Sequence, residues 1–220
     1  MKNYKKVFFT MDIDWAIDPI IDYSLKIFEK NNIKCTIFST HDSIKLKNLN
    51  KDIFEIGIHP NFNPSIISGR GNTAEKIIDD LLNLFPESVG LRSHSMTQSS
   101  QLLNLFYKKG IKYDSNQFFP YNWSIKPYKC WTGLTRIPYN WEDDIHFLYK
   151  KKFDFEILIN QKNFYVFDFH PIHIFLNTEN LHRYESTRPI HQDPDELIGA
   201  RNCGIGIRNA FKELLEAKIL

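Results

Sequence analysis

The sequence predicts an α/β fold built around a parallel sheet, either open or closed into a barrel. Short apolar runs of strand length alternate with amphipathic stretches of helical periodicity along the 220-residue chain. Strands that alternate with helices in this way usually pair in parallel. No internal repeat, low-complexity tract or linker divides the sequence, and its length fits one full core. We therefore expect residues 1–220 to form a single domain.

The predicted elements follow one another in order along the chain. Apolar runs predict strands at Val7–Ile13, Lys34–Phe38, Ile53–Ile58, Val89–Leu91, Ile111–Tyr113, Thr135–Ile137 and Phe164–Phe169. Amphipathic stretches predict helices at Asp18–Glu29, Thr73–Phe85, Gln98–Lys109 and Ile207–Ala217. Asp18-Pro19 supplies an acidic cap and a first-turn proline, and Thr73 supplies a second cap. Phe118–Trp131 and Leu176–Cys203 carry no such pattern, and irregular segments of that length usually form lids or binding surfaces.

Composition and charge narrow the class of protein. The chain has 28 Lys and Arg against 26 Asp and Glu, so no field favours nucleic acid or an anionic membrane. Its three cysteines are far apart in sequence, which is typical of a reducing compartment. Asp12 and Asp14 interrupt the first apolar run before it reaches signal-peptide length, and no run approaches membrane-span length. We expect a cytoplasmic protein without a membrane span.

Polar side chains collect where the predicted strands end. These are Asp12 and Asp14 on the first strand, His59 after the third, Arg92 and His94 after the fourth, Asp114 after the fifth, and Asp168 and His170 at the last. Because the carboxyl ends of parallel strands meet at one edge of a sheet, these groups are expected to converge. The sequence therefore predicts an active site at this edge.

Asp12-Ile13-Asp14 places two carboxylates on one side of a strand. Adjacent carboxylates repel unless a cation or a shared proton relieves them. A divalent metal on one would leave the other as a general base. The alternative is that one caps the next helix while the other is solvated.

His59 is followed four residues later by Asn63, a plausible spacing for two metal ligands. The alternative is a histidine that hydrogen-bonds to loop backbone. Arg92 can hold a carboxylate such as Asp12 or bind substrate through its fork of donors, unless it merely begins a helix-capping loop. His170 can protonate a leaving amine, with Asp168 fixing its tautomer. His173 is interpreted as a loop residue.

These motifs together resemble the polysaccharide deacetylase family, also called the NodB-homology or fourth carbohydrate-esterase family. The resemblance is carried over about Phe8 to Phe175 by Thr10-Met11-Asp12-Ile13-Asp14, His59-Pro60-Asn61-Phe62-Asn63, Leu91-Arg92, Tyr113-Asp114-Ser115, Arg136 to Asp144, and Phe169-His170. Two features depart from the common pattern. Ile13 separates the two aspartates, and Asn63 stands where the second metal histidine usually lies. The variants resemble a cytosolic subgroup associated with O-antigen and other surface-polysaccharide gene sets.

The resemblance implies a distorted (β/α) barrel and hydrolysis of an N-acetyl group on a sugar. It implies Asp12 as base, His170 as acid and Arg92 as the residue that orients the base. The implied metal ligands are Asp14, His59 and Asn63, with His94 as a substitute third ligand or a substrate contact. Separately from the resemblance, Trp123, Tyr139 and Trp141 are candidates for stacking on a sugar ring, with burial in the core as the alternative. The expected cofactor is zinc, or else cobalt, nickel or another first-row divalent ion.

The expected substrate is a small-molecule, nucleotide-linked or lipid-linked sugar, with no nucleic-acid partner. Two alternatives remain at this point. One is a metal-independent hydrolase of cyclic amides with the same fold, which Asn63 would allow. The other is a non-catalytic sugar-binding protein of a polysaccharide assembly pathway.

Overall fold

A computed structural model describes residues 6–69, 71–153 and 164–216, so Ala217 at the predicted end of the last helix lies outside the described residues. Strands alternate with helices around one sheet. The strands are β1 (Lys6–Asp12), β2 (Cys35–Ser39), β3 (Phe54–Ile58), β4 (Gly90–Leu91), β5 (Tyr113–Asp114), β6 (Tyr128–Lys129), β7 (Thr135–Arg136), β8 (Trp141–Glu142) and β9 (Phe164–Phe169). The predicted α/β class is confirmed.

The helices lie between and after these strands. They are α1 (Asp18–Asn31), α2 (Asn63–Ser68), α3 (Ala74–Leu84), α4 (Ser100–Lys108), α5 (Asp143–Leu148), α6 (Pro171–Leu176), α7 (Leu181–Thr187), α8 (Pro194–Gly199) and α9 (Ile207–Glu216). Short 3-10 turns occupy His94–Met96 and Arg188–Ile190. Each helix described here is too short or too polar to cross a lipid bilayer.

The strands form one curled, half-barrel sheet, which agrees with the distorted (β/α) barrel that the deacetylase resemblance implies. Its order is β6-β7-β5-β4-β3-β2-β1-β9-β8, and within the described residues only β6 and β7 pair antiparallel. β1 is an interior strand, because it pairs in parallel with both β2 and β9. The carboxyl ends of β1, β3, β4 and β9 therefore face the same edge.

The core lies between the sheet and the outer helices, and aromatic rings make up much of it. Phe9 of β1 packs against Phe28 of α1, Phe167 of β9 and Phe211 of α9. All four rings are buried. Burying this much apolar surface around Phe9 fixes β1, and with it the position of the aspartates at its end.

Local chemistry sets several helix boundaries as predicted. Pro19 lies in the first turn of α1 as predicted, but Asp18 is already a helical residue and does not cap the helix through its side chain. The helix ends where Asn32 adopts a left-handed conformation with φ 51°. The Thr73 side chain accepts a hydrogen bond from the Lys76 backbone N–H at the start of α3. The predicted boundaries of the other long elements agree within about two residues.

Three predictions of regular structure need correction. The segment Leu176–Cys203 is not irregular, since it contains α7, a 3-10 turn and α8. Asn180 and Asp193 cap these two helices through their side chains. Both residue types are common helix caps, but the helices that follow are short and weakly periodic, so the sequence did not reveal them. The fifth strand lies at Tyr113–Asp114 rather than Ile111–Tyr113, and the segment Phe118–Trp131 includes β6.

Candidate active site

A cleft of about 130 Å³ opens at the carboxyl edge of the central strands. It is lined by Asp12, Asp14, His59, Arg92, Ser93, His94, Ser95, Met96, Tyr139, Glu142, Asp144 and His170. The polar residues at the ends of β1, β3, β4 and β9 therefore converge as the sequence analysis expected. Asp114 does not join them, because its carboxylate accepts two hydrogen bonds from Arg136 at 2.9 Å.

Asp14, His59 and His94 form the most open group of ligand atoms in the cleft. His59 Nε2 lies 3.1 Å from Asp14 Oδ1, and His94 Nδ1 lies 3.2 Å from the same oxygen. Although burial opposes it, hydrogen bonds with His59 and His94 hold the pKa of Asp14 well below its usual range. One carboxylate oxygen and two imidazole nitrogens, all within 4.8 Å of one another, are a donor set that suits zinc.

The backbone at this group is strained. Asp14 and Trp15 have φ angles of 35° and 59°, and Ser95 and Met96 have φ angles of 55° and 54°. Left-handed conformations are costly for such residues, about 1–3 kcal/mol each, and cluster at functional sites. Both stretches adjoin a residue of the ligand group, Asp14 in one case and His94 in the other.

Asn63 lies beside this group but its amide has other partners. Its Nδ2 donates to Ser95 Oγ at 3.1 Å, and its Oδ1 accepts from Thr97 Oγ1 at 3.3 Å. His94 is thus the residue that joins Asp14 and His59, and the assignment of Asn63 as third ligand stays a prediction. Asn63 instead fastens the turn that carries His94.

Asp12 is buried and faces Arg92. Arg92 Nη1 lies 3.0 Å from Asp12 Oδ1 and also forms an ion pair with Asp168 Oδ1, which accepts a hydrogen bond from Thr10. Burial raises the pKa of Asp12 to about 6 against the opposing charge of Arg92. One buried guanidinium therefore serves two carboxylates from neighbouring strands.

Arg92 itself is held from several sides, with only 1% of its surface exposed. Its Nε donates to the Ser115 carbonyl at 3.1 Å and its Nη2 to Ser115 Oγ at 3.0 Å. Its guanidinium carbon lies 4.2 Å from the centre of the Tyr139 ring and 4.7 Å from that of Phe38. This anchoring leaves the guanidinium a single orientation toward Asp12.

His170 is held by Asp143 and not by Asp168, which corrects the tautomer partner expected from the sequence. Asp143 Oδ1 lies 2.6 Å from His170 Nδ1, and its Oδ2 accepts the His170 backbone N–H at 2.8 Å. Asp168 is occupied by Arg92 and Thr10. Although burial alone would lower it, the Asp143 carboxylate raises the pKa of His170 well above its usual value. The other ring nitrogen, Nε2, faces Asp14 at 3.6 Å.

Asp144 and His173 form a second acid–histidine pair beside the first. Asp144 Oδ1 lies 2.7 Å from His173 Nε2, and His173 Nδ1 lies 3.1 Å from Thr178 Oγ1. His173 is a buried residue of α6 and not a loop residue as interpreted from the sequence. Asp143 and Asp144 end the motif Arg136 to Asp144, but no site role was predicted for either of them. The acidic run Glu142-Asp143-Asp144, lying just after a Trp-containing segment, was the available signal.

Of the aromatic candidates for stacking on sugar, Tyr139 lines the cleft and Trp141 does not. Tyr139 donates to Glu142 Oε2 at 3.2 Å. Burial raises the pKa of Glu142 to about 8, so this cleft carboxyl is largely neutral at pH 7. Trp141 is 3% exposed and packs against Phe167 and Phe169 in the core. Trp141 faces the core and not the cleft in this structure, and its assignment as a sugar contact stays a prediction.

The arrangement combines three chemical capacities. A buried carboxylate with a pKa near 6 can accept a proton from water at neutral pH. A histidine kept protonated by Asp143 can donate one. Asp14, His59 and His94 can hold a divalent cation between them. Together these three capacities suffice for metal-assisted hydrolysis of an amide.

Comparisons with known proteins agree with this chemistry. A family model described as WbmS-like polysaccharide deacetylase matches residues 9–188. A Bordetella bronchiseptica protein assigned to polysaccharide deacetylation in O-antigen biosynthesis is 39% identical, with a TM-score of 0.91. That match covers 97% of this chain and 90% of the Bordetella protein. A comparison with curated proteins finds no match.

Two more distant solved structures share the fold. One is a Mycobacterium smegmatis protein assigned to the polysaccharide deacetylases, 18% identical, with a TM-score of 0.55 over 98% of this chain and 91% of that one. The other is a family 4 carbohydrate esterase from Streptomyces lividans, solved with acetate, 11% identical, with a TM-score of 0.51 over 98% of this chain and 90% of that one. The resemblance inferred from the motifs is confirmed. The chain belongs to the WbmS-like family of polysaccharide deacetylases and is a deacetylase hydrolase.

Proposed function

We propose that the protein is a metal-dependent N-deacetylase, which removes an acetyl group from an amino sugar used in O-antigen or other surface-polysaccharide biosynthesis. The observation that supports the proposal is that one cleft holds three distinct sets of paired side chains, one for each chemical role. Asp12 is paired with Arg92, His170 with Asp143, and Asp14 with His59 and His94. A protein that only binds sugar has no need for a held base and a held acid.

The residues present fit a divalent cation. His59 Nε2 and His94 Nδ1 both face Asp14, while the buried Nδ1 of His59 has no hydrogen-bond partner within the described part of the chain. That nitrogen lies 3.7 Å from Asp12 Oδ2, which is beyond hydrogen-bond distance. When bound, a cation such as zinc supplies Lewis-acid polarisation of the amide carbonyl and of the attacking water.

The chain's own residues account for the proton transfers. Asp12 takes a proton from the attacking water, and Arg92 holds its carboxylate in place. His170 then donates a proton to the departing amine, with Asp143 holding the ring in the required orientation. Tyr139 and Glu142 form the adjoining wall.

We expect the substrate to be a nucleotide-linked or lipid-linked amino sugar within the cytoplasm. The relation to a Bordetella protein assigned to O-antigen biosynthesis supports the biosynthetic setting. The three free cysteines, one of them exposed, support a reducing compartment. Asp14, His59 and His94 together offer three metal ligands without Asn63, and this favours the metal-dependent function over the metal-independent alternative.

The test is acetate release from N-acetylglucosamine and N-acetylgalactosamine, each offered free and linked to uridine diphosphate. We expect release from at least one of them, loss of release after chelation, and recovery on adding zinc or cobalt. Release that survives complete removal of metal would contradict the metal-dependent part of the proposal. Absence of release from every acetylated sugar, by metal-loaded protein, would contradict the deacetylase itself.

A further inference from the structure

A second pocket opens beside the catalytic cleft. It has a volume of about 90 Å³ and shares Asp14, Asp144 and His170 with the cleft. Space of this size holds roughly three water molecules, so it suits part of a sugar ring and not a long chain. A group bound there would lie directly next to the reacting amide.

Trp15 forms one wall of this pocket in an unusual way. Its side chain is 44% exposed although it follows a buried strand, and its φ of 59° lies in the left-handed region. Its indole meets the His94 ring edge to face at a centroid distance of 5.0 Å. Neither burial nor backbone preference accounts for a large aromatic residue held in this way.

Asp144 stands at the boundary between the pocket and the cleft. Its side chain is 37% exposed, while its partner His173 is 1% exposed and fastened by Thr178. A buried histidine thus fixes the direction of a carboxylate that water can reach. Such a carboxylate is preorganised to accept hydrogen bonds from hydroxyl groups of a ligand.

The far wall comes from the segment that follows the last strand. Tyr184 of α7 packs on His173 and on His191, at centroid distances of 4.9 Å and 5.0 Å. His191 and Gln192 also belong to the lining, together with apolar residues of α1 and α6. The pocket therefore has aromatic side chains on two walls, Trp15 and Tyr184, and a carboxylate that His173 holds in place.

We propose that Trp15 and Asp144 form a sugar subsite, in which the apolar face of a pyranose ring stacks on the indole and a ring hydroxyl donates to the Asp144 carboxylate. This inference rests on the proposed function for the identity of the ligand as an amino sugar. Aromatic stacking supplies affinity, and the carboxylate selects sugars with a hydroxyl donor at the matching position. Trp15 and Asp144 set specificity and do not transfer protons.

The test measures binding separately from turnover. In a D12N background, which keeps sugar from being consumed, zinc-loaded protein is titrated by calorimetry with N-acetylglucosamine, N-acetylgalactosamine and their uridine diphosphate derivatives. We expect Trp15→Ala to raise Kd roughly tenfold for the best-bound sugar and Trp15→Phe to raise it less. Asp144→Asn should raise Kd for that sugar but not for its deoxy analogue at the recognised position.

Trp131→Ala is the matched control, because Trp131 is exposed at 72% and is not among the residues lining either pocket. Its Kd should stay within about twofold of the D12N parent. The subsite would be overturned if Trp15→Ala left Kd unchanged, or if none of the four sugars bound to the D12N protein. If sugar binding depends on Trp15 but protein with Asp12 intact releases no acetate, the subsite is supported and the proposed deacetylase function is contradicted. If acetate is released and Trp15→Ala leaves KM unchanged, the deacetylase function is supported and the subsite is contradicted.

Discussion

Asp12 and Asp14 are the same side chain two positions apart at the end of one strand, yet their surroundings differ. Asp12 is buried against the guanidinium of Arg92, and burial raises its pKa to about 6. Asp14 is partly exposed and faces His59, His94 and His170. Against the effect of burial, hydrogen bonds with His59 and His94 hold the pKa of Asp14 well below its usual range.

The difference shows how neighbouring side chains give two identical carboxylates different pKa values and therefore different chemical roles. A carboxylate that several imidazoles surround stays ionised and suits a cation. A carboxylate with a pKa near neutrality is a better proton acceptor. We therefore assign Asp14 to the metal and Asp12 to the base, and each prediction below changes one side of this division.

The largest expected effect is that of Asp12→Asn. It should lower kcat for acetate release roughly a thousandfold, within the range of lost general-base catalysis. Metal content should stay at the wild-type level, because the change leaves Asp14, His59 and His94 in place. Steady-state kinetics and metal analysis on the same preparation check both parts. A variant that keeps full activity would remove Asp12 as the base.

His94→Gln tests the other side. Changes to residues that only support the metal ligands already weaken metal binding about 10- to 100-fold. Loss of the ligand His94 should weaken zinc binding by no less than this. The matched variant is Asn63→Ala, which should bind zinc more tightly than His94→Gln does, since the Asn63 amide contacts Ser95 and Thr97. Competition with a fluorescent chelator gives both affinities. If His94→Gln kept the wild-type affinity while Asn63→Ala lost it, the third ligand would be Asn63 and not His94.

Asp143→Asn should lower kcat about 10- to 100-fold with little change in KM, because His170 loses the partner that keeps it protonated and oriented. Nitrogen chemical shifts of the His170 ring should report a changed protonation state. In Asp168→Asn these shifts should stay close to wild type, since Asp168 pairs with Arg92. If the shifts changed in Asp168→Asn and not in Asp143→Asn, Asp168 would be the partner of His170, as the sequence suggested.

The smallest effect concerns Glu142, a third carboxyl of the same cleft, whose pKa burial raises to about 8. A carboxyl with a raised folded-state pKa contributes stability at low pH and loses it as pH rises through that value. Wild-type Tm should therefore fall between about pH 5 and pH 8 more than the Tm of Glu142→Gln, which mimics the neutral form. Parallel Tm profiles would show that Glu142 is ionised throughout.

The sequence was sufficient for the strand ends and insufficient for side-chain partners. Periodicity located β1, β3 and β9, and parallel pairing then placed Asp12, His59 and His170 at one edge. Which carboxylate meets which base depends on rotamers and on short elements such as α5, whose first residue is Asp143. No periodic signal marks a six-residue helix, so the Asp143 and His170 pair could not be predicted.

Trp141 and His94 illustrate the same limit. An aromatic residue in a motif segment can face the cleft or the core, and a two-residue strand such as β8 does not reveal which. His94 joins the ligand group at the start of a turn in which Ser95 and Met96 have left-handed φ angles. Positive φ values at non-glycine residues leave no pattern in a single sequence.

Anomalous diffraction at the zinc absorption edge, from crystals of zinc-loaded protein, tests the division of roles most directly. We predict one ion bound by Asp14, His59 and His94, with Asp12 outside its coordination sphere and still paired with Arg92. An ion bound by Asp12, or one held instead by Asp143, Asp144, His170 and His173, would contradict it.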